Sequence, residues 1–249
     1  MRFERKMLFK PKHEMISPTA ARGLRLEPLW LTSSDGVRLR AWWIPGENAG
    51  APVMLCLHGN GGNISTHGEK MKLFHDAGAS QLWVEWRGYG ESAGTPDEAG
   101  LYRDGLAGWA WLTRERAIAP SRVALYGESL GCGVAVELAT RVPAGGLIID
   151  SGFASVAEMG KSVLPWFPLA LERFRFDNLS KLPRVKMPAL FLHSPQDDVV
   201  PFEQSRLNFA AAAGPKRFVV LRGGHNKGYL DSQPAYGEAI GAFLAALAR

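Results

Sequence analysis

Six short apolar runs, interleaved with stretches of helical period, constrain the fold more than any other feature of this chain. The runs are Val53–Leu57, Gln81–Trp86, Val123–Tyr126, Leu147–Ile149, Ala189–Leu192 and Phe218–Leu221. Each is too short for an independent helix, and amphipathic segments near 64–77, 97–117, 130–141, 202–213 and 234–248 separate them. Apolar strands alternating with helices predict a mostly parallel sheet covered on both faces. A hairpin precedes this pattern, from Trp30 to Thr32 and from Val37 to Ile44, turning at Asp35-Gly36, where glycine tolerates positive φ. Together the elements predict an α/β architecture with a central sheet of about eight strands.

In an open α/β sheet, ligands bind at the carboxyl ends of the strands. The chemistry-bearing residues of this sequence fall at those ends. His58-Gly59-Asn60-Gly61-Gly62-Asn63 follows the Val53 run and Gly127-Glu128-Ser129-Leu130-Gly131 follows the Val123 run. Asp150, Asp197 and His225 follow the next runs.

Ser129 lies between a predicted strand and a predicted helix, with a glycine two positions away on either side. A serine lifted above a sheet sits on a turn so sharp that larger neighbours would collide, which explains the glycines. It also opens a helix, whose free N–H groups favour developing negative charge, so the Leu130 amide is expected to face an oxyanion. With 28 glycines in the chain, a bare G-x-S-x-G match could arise by chance or as a helix cap. The strand before it and the helix after it supply the context that the chemistry requires.

A serine hydroxyl attacks only when a base takes its proton, and an imidazole base needs a carboxylate to hold its tautomer and orientation. Asp197 and His225 end the last two predicted strands, in the order Ser, Asp, His expected of such a site. Asp198 is adjacent, and Asp150 at an earlier strand end is a further candidate for the acid. The other histidines read as structural: His58 shapes its loop, His67 and His75 lie on a predicted helix face, His193 ends a strand and His13 lies near the start. In the loop after Leu57, Gly59, Gly61 and Gly62 let the backbone turn its amides inward. Asn60 is the expected second oxyanion donor through its N–H, with Gly61 next. The loop lacks the Gly-Lys-Ser/Thr ending of a phosphate loop and does not fit dinucleotide spacing.

The net charge of +5 would suggest a nucleic-acid partner if it were spread over the surface. Residues 1–25 hold seven basic and two acidic side chains, and the remainder holds 22 of each, so nucleic-acid binding is excluded. This basic leader, with Phe3, Met7, Leu8 and Phe9, either packs or is solvated, or it makes peripheral contact with an anionic membrane surface. No run of about 18 apolar residues and no signal-peptide core is present, so a cytoplasmic, soluble protein is expected. Cys56 and Cys132 fit neither a disulfide framework nor a metal cluster and read as small buried hydrophobes.

Taken together, His-Gly-Asn-Gly-Gly-Asn (58–63), Trp-Arg-Gly-Tyr-Gly-Glu-Ser (86–92), Gly-Glu-Ser-Leu-Gly (127–131), Asp-Ser-Gly-Phe (150–153), Asp197 with Val200-Pro201, and Gly-Gly-His (223–225) resemble the α/β-hydrolase superfamily. The resemblance runs from about Leu26 to the C-terminus. Within the superfamily it is to small Bem-type and acyl-protein thioesterase-like hydrolases. Two departures stand out: Glu85 replaces an aspartate and Ser194 replaces a glycine. The resemblance implies one hydrolase domain over 26–249. It implies a serine esterase or thioesterase acting on a small acyl ester through an acyl-enzyme, with no cofactor. A peptidase of the same fold and a non-catalytic binding protein on a hydrolase scaffold are the alternatives. The segment Ser162–Asn178 reads as a short lid near 160–180, in which Trp166 and Phe167 contact substrate; core packing is the other reading of those apolar residues.

Overall fold

The computed structural model describes residues 2–17, 21, 23–48, 50–163 and 174–247. Trp166, Phe167 and most of the expected lid lie outside the described residues. The chain begins with α1 (Arg2–Leu8) and β1 (Lys10–Pro11), then the hairpin β2 (Glu27–Thr32) and β3 (Arg38–Ile44). Next come β4 (Val53–Leu57), β5 (Gly61–Gly62), α2 (Gly68–Asp76), β6 (Ser80–Val84), α3 (Glu98–Ala110), β7 (Val123–Glu128) and α4 (Leu130–Ala139). Then follow β8 (Gly146–Asp150), α5 (Val156–Val163), β9 (Ala189–His193), α6 (Phe202–Ala211), β10 (Lys216–Val220), α7 (Gly228–Asp231) and α8 (Ala235–Leu247).

Eight strands form the main sheet in the order β10-β9-β8-β7-β4-β6-β3-β2, antiparallel only where β3 pairs with β6 and with β2. Strands β4, β6, β7, β8 and β9 are buried along almost their whole length. That is why they appear in the sequence as unbroken apolar runs. Successive side chains still alternate between faces. Val53, Leu55 and Leu57 of β4 join Leu125, Ile149 and Phe191 beneath α3, α4 and α6. Met54 and Cys56 join Tyr126, Ile148 and Leu190 on the other face, under Met71 and Phe74 of α2 and Ile240 and Leu244 of α8.

The boundaries of the two edge strands are among those that differ from the sequence reading. Strand β2 starts at Glu27, before the expected Trp30, because it is an edge strand whose residues are mostly half-buried or exposed. Strand β10 starts at Lys216, before the expected Phe218, because at the other edge of the sheet its first two residues are exposed and charged and lie outside the apolar run. The helix expected over 97–117 is α3, whose first turn Asp97 caps by accepting the Gly100 N–H at 2.8 Å. It continues as a wider turn, Trp111–Glu115. Described residues near the N-terminus pack onto the body. Phe9 is buried against Phe174 and Phe176, and β1 pairs in parallel with β5.

Candidate active site

Strand β7 ends at Glu128, and Ser129 makes the turn into α4 with φ 51° and ψ −114°, a backbone region unfavourable to any side chain. The flanking glycines are required by packing. A Cβ on Gly131 would lie 2.0 Å from the Leu57 carbonyl oxygen, and one on Gly127 would lie 2.6 Å from Cys132 Cα. The Ser129 N–H donates to the Asp150 carbonyl at 2.9 Å, tying the turn to the neighbouring strand. Its side chain makes no capping bond to the helix and has no hydrogen-bond partner among the described residues. The amide of Leu130 opens α4, where an N–H has no acceptor within the helix.

Ser129 faces a cavity of about 350 Å³ whose lining includes Asn60, Lys12, His67, Glu128, His225 and Tyr229. The loop that holds Asn60 lies directly over the serine, since a Cβ on Gly59 would be 3.5 Å from Ser129 Cβ. Asn60 borders the same cavity as the serine.

His225 follows β10 on a glycine hinge. Gly223 has φ +86°, and a Cβ there would meet Asp231 at 2.1 Å. The two adjacent aspartates divide their work. Asp197 Oδ2 accepts a hydrogen bond from the ring at Nδ1, 2.7 Å away, whereas Asp198 Oδ1 accepts the backbone N–H of His225 at 2.9 Å. Asp197 is itself fixed, because its Oδ1 accepts the amides of Val199 at 2.9 Å and Val200 at 2.7 Å. Burial would raise its pKa, but hydrogen bonds from His193 and His225 and the field of His225 hold it well below the usual carboxylate range. For His225, burial works to lower the pKa. The hydrogen bond and charge of Asp197 outweigh it, and the ring's pKa rises above its ordinary value.

Among the described residues Asp150 makes no hydrogen bond to His225. Its Oδ2 accepts the Lys70 ammonium at 3.0 Å and the hydroxyls of Tyr126 at 2.7 Å and Tyr236 at 2.8 Å. Lys70 also reaches Glu128 at 3.0 Å. Burial disfavours the charge on Lys70, yet its two carboxylate partners raise its pKa, so the ammonium is retained beneath the cavity. His67 does not lie on the face of α2. It ends the turn Ile64–His67, stacks on Trp83 at 5.2 Å and borders the cavity, where burial lowers its pKa to about 4 and keeps it neutral at pH 7.

Sequence reasoning missed the polar wall formed by Lys12, His67, Lys70 and Tyr229. Glu128, inside the serine motif, was the one available signal. It missed His193 as well, whose Nε2 lies 3.2 Å from Asp197 Oδ2 and 2.9 Å from the Val200 carbonyl, placing a second imidazole behind the first. Among the described residues no group of three or more His, Cys, Asp or Glu side chains could hold a metal ion. No helix among them is long and apolar enough to cross a membrane.

A mostly parallel sheet carrying a strained serine turn at the end of a central strand, with a carboxylate-bound histidine on the same cavity, defines a class that comparison with known proteins identifies. The model of the alpha/beta hydrolase family matches residues 54–184. An uncharacterised protein of Mycobacterium tuberculosis is 39% identical over 215 residues, which are 85% of this chain and 76% of that one. The lysophosphatidylserine lipase ABHD12 of Rattus norvegicus is 30% identical over 214 residues, 76% of this chain and 52% of the lipase. Among solved structures, the Pyrococcus furiosus esterase Pf2001 superposes with a TM-score of 0.80 at 18% identity, covering 96% of this chain and 98% of the esterase. The chain belongs to the α/β-hydrolase family, and its fold is the fold of that family.

Proposed function

We propose that this chain is a serine hydrolase that cleaves carboxylic ester or thioester bonds of small acyl substrates through an acyl-enzyme. The observation that carries the reading is the His225 ring, bonded at Nδ1 to Asp197 and sharing one cavity with Ser129. A ring whose Nδ1–H is engaged by a carboxylate keeps Nε2 unprotonated and free to accept a proton. Ser129 Oγ attacks the acyl carbonyl as Nε2 of His225 takes its proton, and Asp197 stabilises the imidazolium. The amides of Asn60 and Leu130 hold the oxyanion. Histidine then returns the proton to the leaving group, and water, activated by the same ring, releases the acid. The serine and histidine share no hydrogen bond before substrate arrives, which is common at catalytic sites, where such contacts tighten in the substrate complex.

The names of the rat lipase and the archaeal esterase are consistent with ester chemistry. Trp166 and Phe167 are assigned to the acyl side of the site, with short to medium chains as substrates. Residues 26–249 form the catalytic domain and 1–25 its leader. A peptidase of the same fold or a non-catalytic binder gives a different result in one assay.

Hydrolysis of p-nitrophenyl acyl esters of graded length, followed as a function of pH, is that assay. Turnover is expected, and kcat/KM is expected to fall toward acid as His225 becomes protonated and can no longer accept the serine proton. Because Asp197 raises the ring's pKa, the midpoint of that limb lies above the ordinary histidine value of about 6.5. An inert protein across all chain lengths would favour the binder, and cleavage of peptides alone would favour the peptidase.

A further inference from the structure

The segment Trp86-Arg87-Gly88-Tyr89-Gly90-Glu91-Ser92 stands out in the sequence, yet none of it enters the chemistry above. It follows β6 as a loop whose base is fixed by Arg87. The guanidinium pairs with Asp35 in the β2–β3 turn at 2.8 Å and with Asp104 of α3 at 2.8 Å. From this base three side chains reach the His58–Ile64 loop that borders Ser129.

Glu85 faces one end of the loop and bonds the other. Its Oε1 lies 3.0 Å from His58 Nε2, with both side chains fully buried, and its Oε2 accepts the Ile64 N–H at 2.9 Å. The Trp86 indole N–H donates to the His58 carbonyl at 3.1 Å. Tyr89 holds the middle. Its hydroxyl donates to the Asn60 carbonyl at 2.9 Å and accepts the Lys10 N–H at 3.1 Å. The same Asn60 carbonyl also accepts the Lys10 N–H at 3.0 Å. The phenol thus closes a triangle between the leader strand, the loop and its own motif.

The location of that triangle gives it a chemical consequence. Oxyanion donors contribute most when they are fixed before the reaction, so that they need not reorganise as charge develops. A loop with glycine at 59, 61 and 62 does not fix itself, because glycine loses the most backbone freedom on ordering. The peptide unit is planar, so clamping the Asn60 carbonyl sets the plane of the unit next to the Asn60 amide. The Tyr89 phenol is buried, its pKa is raised by that burial, and it remains a donor throughout the working pH range.

We propose that Tyr89 is a positioning residue for the oxyanion hole, acting through its hydroxyl on the Asn60 carbonyl and coupling the N-terminal strand to that loop. This rests on the serine-hydrolase reading. Tyr89→Phe keeps the ring, which packs 5.7 Å from the His58 ring, and removes only the hydroxyl. With p-nitrophenyl acetate, kcat is expected to fall about tenfold with KM within about twofold, less than the loss of a donor itself. Affinity for phenylboronic acid, which becomes a tetrahedral adduct when the Ser129 hydroxyl adds to its boron, is expected to fall by the same factor as kcat/KM. Glu91→Gln in the same motif, which breaks only a surface pair with Arg40, is expected to leave all three values unchanged. Should Tyr89→Phe fail to fold, Lys10→Pro removes the N–H from the same triangle and is expected to lower kcat severalfold. A kcat at the wild-type level in either variant, or a lowered kcat with unmoved boronate affinity, overturns the inference while the hydrolase reading stands. A wild-type protein without turnover overturns the reading and the inference together.

Discussion

Ser129→Ala is expected to lower kcat toward p-nitrophenyl esters by on the order of 10⁶-fold, the loss seen when the nucleophile of a serine hydrolase is removed. The fold should not suffer. Ser129 Oγ makes no hydrogen bond among the described residues, and alanine meets the same backbone strain at φ 51° that serine already bears. The thermal midpoint should therefore stay close to that of the parent, measured beside the rates. A variant that retains activity within tenfold would move the chemistry to another residue.

Asp197→Asn is expected to lower kcat by about 10⁴-fold. An asparagine can turn its NH₂ toward Nδ1, which then acts as acceptor, so the proton moves to Nε2 and the ring can no longer serve as base. The acid limb of the pH profile should also shift to lower pH, because the charge that holds the imidazolium is gone. Asp198→Asn keeps an Oδ1 able to accept the His225 N–H, and its effect should stay within about tenfold. Comparable losses from the two substitutions, or a larger loss from Asp198→Asn, would assign the acid differently. Asp150→Asn should act on stability, because its carboxylate is committed to Lys70, Tyr126 and Tyr236.

The sheet was legible in the sequence because its central strands are covered on both faces and so appear as unbroken apolar runs. The serine turn was legible for a related reason, since Gly127 and Gly131 are demanded by backbone contacts that any Cβ would violate. The edge strands were legible only in part, because half-exposed residues such as those of β2 carry no apolar run. Asp197 reads as the acid ahead of the adjacent Asp198, but position in the sequence carries no geometry. Which carboxyl meets the ring and which meets the backbone depends on the loop's path over the histidine. The pairing of Lys10 with Gly61 joins residues distant in the chain through a two-residue strand with no periodic signal. Lys70 also lay beyond a sequence reading. A lysine on a helix normally reads as solvated, and here it is 4% exposed because Glu128 and Asp150 come to it from two other elements.

Exposure of the protein to a fluorophosphonate probe, followed by digestion and mass spectrometry of the adduct, is the most direct measurement. Such a probe phosphonylates a serine activated by a neighbouring base and oxyanion donors. The account predicts a single stoichiometric adduct on the peptide that contains Ser129, formed more slowly as pH falls through the His225 transition and absent in Ser129→Ala. An adduct on another residue, or labelling that persists unchanged in Ser129→Ala, would contradict it.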